Sequence, residues 1–135
     1  MASYLLDTNH LSPLVTLDHP LRTRIISTAR DGHRFAIAVP VLTEFLYGIQ
    51  TLPRTKANMQ EWHRYRDRFD FYDVQRIDAE GAASLQVDLR RQGWQLKTVD
   101  ALIAAVALRY DFTLLTTDKD FAAIPGLANE NWLTM

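Results

Sequence analysis

Short strand-like apolar runs alternate with longer helix-spaced stretches along this chain, and that alternation limits the fold more than any other feature. Ser3 to Leu6 is too brief and too apolar for a surface helix and reads as a strand. Phe35 to Val39, Phe71 to Ile77 and Phe112 to Thr116 read the same way, with Trp132 to Thr134 as a last edge strand. Between them, Thr8 to Thr16 reads as a helix that Pro13 kinks or divides, and His19-Pro20 opens another that Asp31-Gly32 closes. Pro40 fits the first turn of a helix through Gln50, since its missing N–H costs nothing there. Leu52-Pro53 breaks that helix, and Arg54 to Arg68 forms the next. Asp78 is expected to cap a helix ended by Gly93, Thr98 to cap one over Val99 to Tyr110, and Lys119 to Ala123 to form a helical turn. Strands alternating with helices imply parallel βαβ units and an α/β sandwich, as a single domain over residues 1–135.

The 135 residues suffice for one substantial core, and a hydrophobic fraction of 47% fits a globular chain. The absence of cysteine removes disulfides and thiolate metal sites. No apolar run is long enough for a membrane span, and the basic-then-apolar layout of a signal peptide is missing, so a cytoplasmic protein is expected. A net charge of −1 argues against a general polyanion binder. Arginines nevertheless cluster at Arg22, Arg24, Arg30 and Arg34 (with His33), and again at Arg54, Arg64, Arg66 and Arg68 (with Lys56). They read either as a basic rim around an acidic centre, suited to a phosphate backbone, or as solvated helix faces.

Four acids stand where a carboxylate is unprofitable for folding. Asp7 ends the first apolar run, Glu44 interrupts an almost uncharged helix, Asp100 opens the apolar helix, and Asp118 follows the strand at Phe112. In open parallel sheets functional groups gather at the carboxyl ends of the strands, and helices begin at that same edge. All four acids therefore reach one crevice, where they would repel unless a cation neutralised them. Oxygen-only ligation favours Mg²⁺ or Mn²⁺, as one ion or as two about 3.5–4 Å apart. A structural reading stands beside each: Asp7 capping the following helix, Asp100 complementing a helix dipole, Asp118 turning the chain. Glu44 fits such a reading least, having no basic partner one turn away and Gly48 leaving room at i+4. His10, His19, His33 and His63 lack paired metal-ligand spacing and read as surface or packing residues, His10 attracting some interest because it lies beside the first acid motif.

The segments Leu5-Leu6-Asp7-Thr8-Asn9, Glu44-Phe45-Leu46-Tyr47-Gly48, Asp100-Ala101-Leu102-Ile103-Ala104-Ala105 and Thr116-Thr117-Asp118-Lys119-Asp120-Phe121 resemble, in order and interval, the PIN-domain family, and within it the VapC-type toxins. The resemblance implies a three-layer α/β/α sandwich with a central parallel sheet and a Mg²⁺- or Mn²⁺-dependent endoribonuclease, with Asp7, Glu44, Asp100 and Asp118 as metal-binding and catalytic acids. Thr8 and Asn9, beside the first acid, would orient a ligand or water, and Thr117 would assist. Asp118 and Asp120 compete for the fourth acidic position, and closeness to the strand end favours Asp118. The resemblance also implies a homodimer, an RNA substrate and a VapB-like antitoxin. Leu46, Ile49, Leu52, Trp62 and Tyr65 are the candidate apolar contacts, and Arg24, Arg64 and Arg91 the candidate anion contacts.

Two other readings compete. A PIN-like module that binds RNA or protein without cutting would have no reason to keep four mutually repelling acids. A phosphoaspartate phosphatase wants Asp-x-Asp where this chain has Asp7-Thr8-Asn9, and a receiver wants a lysine that Lys119 does not supply in place.

Overall fold

The computed structural model describes residues 1–133. β1 (Ser3–Leu6) lies at the centre of a five-stranded sheet, flanked by β2 (Arg34–Ala38) and, on its other side, β4 (Thr113–Leu115). β3 (Asp70–Tyr72) continues the sheet beyond β2, and β5 (Asn129–Glu130) beyond β4. Every pairing is parallel, with Leu5 opposite both Ala36 and Leu114. The chain moves from β1 outward through β2 and β3, then crosses back to β4 and β5, so its direction reverses at β1. In such sheets that reversal opens a crevice above the carboxyl ends of the central strands. Among the described residues, six α-helices complete the expected three-layer α/β/α fold: α1 (Thr8–Leu11), α2 (Pro20–Arg30), α3 (Val39–Thr51), α4 (Thr55–Tyr65), α5 (Arg76–Arg91) and α6 (Thr98–Tyr110).

Central strands of a parallel sheet are covered on both faces and lose their alternation, and Leu5, Leu6, Leu114 and Leu115 are all fully buried. α6 is buried along most of its length at Ala101, Ile103, Ala104, Ala105, Val106 and Ala107, and its small side chains let the backbone approach its neighbours closely. Tyr4, Phe35 and Trp132 form an aromatic cluster with ring centroids 4.9–5.9 Å apart. Phe45, Trp62 and Phe69 form another on α3, α4 and the approach to β3. No helix among the described residues is long and apolar enough to cross a membrane.

The departures from expectation have local causes. Pro13 divides the first helix outright, leaving α1 and a 3-10 turn at Ser12–Val15. β3 is shorter than Phe71 to Ile77 and begins one residue earlier. The last strand is Asn129–Glu130 rather than one beginning at Trp132, and Thr134 lies outside the described residues. Lys97, not Thr98, precedes α6. Asp78 is not an N-cap: α5 starts earlier, with Gln75 as its cap, and Asp78 reaches back to the Gln75 N–H at 2.9 Å in a capping box.

The basic rim is only partly free. Arg22 is buried, donating to Leu14 O (3.1 Å), Glu61 (2.8 Å) and the Tyr65 hydroxyl (3.1 Å). Arg34 is paired with Asp70. Arg24 stacks on Trp132, 3.8 Å from the ring centroid, while Arg64 and Arg91 stand 3.9 Å from Glu61 and Asp88. Of the candidate apolar contacts, Ile49, Trp62 and Tyr65 pack inside, Leu46 is partly buried, and Leu52 is exposed.

Candidate metal and catalytic site

The crevice at the reversal point begins with Asp7, the residue after β1. Its N–H donates to Leu115 O at 3.0 Å, which continues the β1–β4 ladder by one residue. The side chain is 8% exposed, and its two oxygens are fixed from three directions. Oδ1 accepts the Thr8 N–H at 2.9 Å, while Oδ2 accepts the Thr116 hydroxyl at 2.8 Å and the Asn9 amide at 3.3 Å. Asp7 thus also starts α1, so the structural and functional readings of this residue coexist. A carboxylate so nearly buried would be costly without such donors.

Asp118 leaves β4 at the same edge. Its N–H donates to the Thr116 hydroxyl at 3.0 Å, and its Oδ1 accepts the Asp120 N–H at 2.9 Å, capping a 3-10 turn over Lys119–Ala123. Thr116 therefore links two acids through one hydroxyl, donating to Asp7 and accepting from Asp118. The expected helper Thr117 contributes only its backbone, donating to Asn9 Oδ1 at 3.2 Å. Thr116 was missed, although the register holds the signal: Leu6 pairs with Leu115, so the residues that follow them, Asp7 and Thr116, face each other.

Glu44 reaches the crevice from α3 and is exposed, with the Thr8 hydroxyl 3.4 Å from its Oε2. Gly48 one turn on is not needed for packing, because a Cβ there would meet nothing within 4 Å. Gly48→Ala is accordingly expected to raise stability by about 1 kcal/mol through helix propensity, read as a shift in the urea midpoint. Loss of stability instead would show that the open face itself matters to the fold.

Asp100, in the first turn of α6, joins these acids electrostatically. Burial, then the charges of Asp7, Asp118 and Glu44, push its carboxyl up from the ordinary value to about 6, against a smaller opposing pull from Lys97. Three acids from three separate stretches of chain thus act on Asp100: Asp7 and Asp118 follow strand ends, Asp100 lies in the first turn of α6, and Glu44 in the second turn of α3. Asp120, partly exposed in the 3-10 turn, is engaged there through its backbone.

No three histidine or acidic side chains among the described residues stand close enough to form a finished metal cage. The donor set nevertheless suits a hard divalent cation. It is all oxygen, it is internally repulsive, and Mg²⁺ characteristically takes one or two carboxylates and keeps several waters.

The sequence and the fold both have counterparts among known proteins. The chain is similar to the tRNA(fMet)-specific endonuclease VapC of Shigella flexneri, 24% identical over 133 residues that cover 98% of this chain and 99% of that one. It is 26% identical over 98 residues to Ribonuclease VapC4 of Mycobacterium tuberculosis, covering 71% of this chain and 75% of the relative. Among solved structures, VapBC2 from Rickettsia felis bound to a promoter DNA fragment superposes with a TM-score of 0.83 at 24% identity, covering 96% of this chain and 98% of that one. DNA-bound VapBC from Salmonella typhimurium gives 0.81 at 23% identity, with 98% and 99% covered. The family model described as PIN domain matches residues 4–127, and this chain belongs to the PIN-domain family.

Proposed function

We propose that this protein is a divalent-metal-dependent endoribonuclease, the toxin of a VapBC-type toxin–antitoxin pair acting in the cytoplasm, with Asp7, Glu44, Asp100 and Asp118 as its metal-binding and catalytic acids. The observation that carries the reading is the gathering of acids at one sheet edge: the Thr116 hydroxyl joins Asp7 to the Asp118 N–H, the Thr8 hydroxyl lies beside Glu44, and burial with the charges of all three raises the Asp100 carboxyl. Like charges gathered in this way cost stability, and sites that hold cations are where such clusters occur.

Bound Mg²⁺ or Mn²⁺ would neutralise this cluster, acidify a water and offset charge developing on the phosphoryl oxygens. The chain's own groups do the positioning. Asp7 is fixed by Thr8, Asn9 and Thr116, so its free lone pairs have one direction. Glu44 is steered by the Thr8 hydroxyl, and Asp118 by the turn it caps. Asp118 rather than Asp120 is read as the fourth acid, because it stands nearer the end of β4 and its N–H shares the Thr116 hydroxyl with Asp7. Asn9 and Thr8 serve as positioning groups, with Thr116 and the Thr117 backbone added to the set. In the reaction, water adds to phosphorus, one P–O ester bond breaks, and the departing oxygen takes a proton.

The partner set follows the same reading: an RNA substrate, a VapB-like antitoxin and a second copy of this chain. Tyr47 and Leu52, on and beside α3, are exposed apolar side chains free to serve an antitoxin or a dimer contact.

The test is cleavage of total cellular RNA by purified protein with Mg²⁺ or Mn²⁺, with chelator, and with Asp7→Asn and Glu44→Gln. Discrete fragments are expected with metal, lost in chelator and reduced at least about 100-fold in each variant. Folded, metal-supplied protein that cuts nothing across varied RNAs would make it a binding module. Cutting that survives both substitutions would move the site elsewhere.

A further inference from the structure

His10 is the most completely enclosed polar side chain near the crevice, with no exposed surface, and the proposed chemistry makes no direct use of it. Its ring nitrogens join two parts of the chain that are 122 residues apart. Nε2 accepts the backbone N–H of Trp132 at 3.0 Å. A backbone N–H only donates, so Nε2 must be the unprotonated nitrogen and Nδ1 must carry the proton. Nδ1 lies 2.6 Å from the Asn9 side-chain oxygen, which is then an acceptor.

Asn9 consequently has one available orientation. Its Oδ1 receives the His10 ring and, at 3.2 Å, the Thr117 N–H. Its Nδ2 is left to donate to Asp7 Oδ2 at 3.3 Å. The shorter of the two contacts on Oδ1 is the one from His10, so His10 supplies the stronger hold. The sequence of donations is continuous: Trp132 N–H to His10, His10 to Asn9, Asn9 to Asp7.

The far end is rigid enough to serve as an anchor. The Trp132 ring packs edge-on against Tyr4 and Phe35, its Nε1 donates to Glu130 at 3.0 Å, and Arg24 stacks over it. Burial, with a smaller contribution from the Arg24 charge, lowers the His10 pKa to about 4, so the ring is neutral near pH 7, as the Trp132 contact requires.

We infer that His10 is a positioning residue for the catalytic crevice: anchored on the Trp132 backbone, it holds the Asn9 amide so that its N–H₂ faces Asp7. This rests on the ribonuclease reading only for its consequence in metal binding and rate; the hydrogen-bond assignment stands without it.

Two substitutions separate the two ring nitrogens. In His10→Gln the side-chain amide reaches the Nε2 position, keeping an acceptor for Trp132 and losing the Nδ1 donor. In His10→Asn the amide sits at the Nδ1 position, keeping the donor to Asn9 and losing the anchor.

The experiment is performed on the whole chain. Nitrogen NMR of the wild type at pH 7 reads the His10 tautomer, and side-chain amide exchange reads Asn9. Mn²⁺ titration and steady-state RNA cleavage follow on wild type and both variants, with thermal unfolding to confirm folding. The Nδ1–H tautomer is expected. His10→Gln should exchange Asn9 amide protons at least tenfold faster, bind Mn²⁺ about tenfold more weakly and lose kcat with KM little changed. His10→Asn should stay closer to wild type in Asn9 exchange and Mn²⁺ affinity while melting earlier. An Nε2–H tautomer, or Asn9 exchange equal to wild type in His10→Gln, overturns the inference. Wild-type protein that neither binds Mn²⁺ nor cuts RNA would instead sink the ribonuclease reading, and the tautomer and Asn9 exchange would still decide His10.

Discussion

Asp100→Asn is expected to remove RNA cleavage by at least about 10³-fold and, in metal-free protein at pH 7, to make the fold more stable. Both effects have one cause. The carboxyl is raised to about 6 by burial and by Asp7, Asp118 and Glu44, so the folded protein disfavours the ionised form that the unfolded chain carries freely. The folded value lies above the unfolded one, so between about pH 4 and pH 6 the folded state binds more protons and stability falls as pH rises. A shift of about 2 units corresponds to at most about 2.7 kcal/mol. Partial solvation of the crevice reduces that to about 1–2 kcal/mol gained by the neutral amide. Denaturant titrations at pH 4 and pH 7 check the sign: Asp100→Asn and wild type should nearly coincide at the lower pH and separate at the higher one. Saturating Mn²⁺ should narrow the pH 7 gap, because it stabilises only the protein that binds it. A variant that is less stable than wild type at pH 7 without metal would mean that Asp100 is a structural cap and not one of a repelling set.

How much of this could be read before folding differs by element. β1 and its acid were legible because a four-residue apolar run ending in a carboxylate has few interpretations, and the core confirms it with Leu5 and Leu6 fully buried. α3 and α6 were legible from Pro40 and from the alanine-rich run after Asp100. Of the two edge strands, β3 was legible in place though not in length, and β5 was not legible. Asn129 and Glu130 are both exposed and owe their strand conformation to pairing with Leu114 and Leu115, so no apolar pattern marks them. Trp132 attracted the strand assignment by its hydrophobicity, yet it packs beside the sheet against Tyr4 and Phe35. At the site, the residue types pointed to the acids, but their supports depended on register. Thr116 and Thr117 are indistinguishable in composition; only the pairing of Leu6 with Leu115 decides which hydroxyl meets Asp7. His10 carried no spacing signal, because its partner lies at the far end of the chain. Local pattern exposes what a segment does for itself and hides what a distant segment does for it.

The largest loss of stability is expected from Asp78→Ala. Asp78 is 1% exposed, and both of its oxygens are engaged by Arg109, at 2.7 Å from Nε and 2.8 Å from a terminal nitrogen, with the Gln75 N–H at 2.9 Å as a third donor. The bidentate pair joins the first turn of α5 to the last turn of α6 and so fixes the antiparallel packing that presents Asp100. Truncating Asp78 leaves a half-enclosed guanidinium and a helix N-terminal N–H without their acceptor. Removing one partner of a buried pair costs about 3–5 kcal/mol, and the lower end applies because Arg109 keeps 24% exposure. Against a total of about 5–15 kcal/mol for a domain, that is a severe defect. Burial alone would raise the Asp78 carboxyl, but the Arg109 hydrogen bonds, the Gln75 N–H and the Arg109 charge outweigh it and hold it below the ordinary value. The folded value therefore lies under the unfolded one, so the contribution is complete above about pH 4 and disappears as pH falls through the folded value. The gap between wild type and Asp78→Ala in urea should thus be widest at neutral pH and shrink under strong acid. The double variant Asp78→Leu with Arg109→Met should recover much of the loss, since an apolar pair leaves no stranded charge. Equal stability of Asp78→Ala and wild type at neutral pH would show that the ion pair orients the two helices without holding them together.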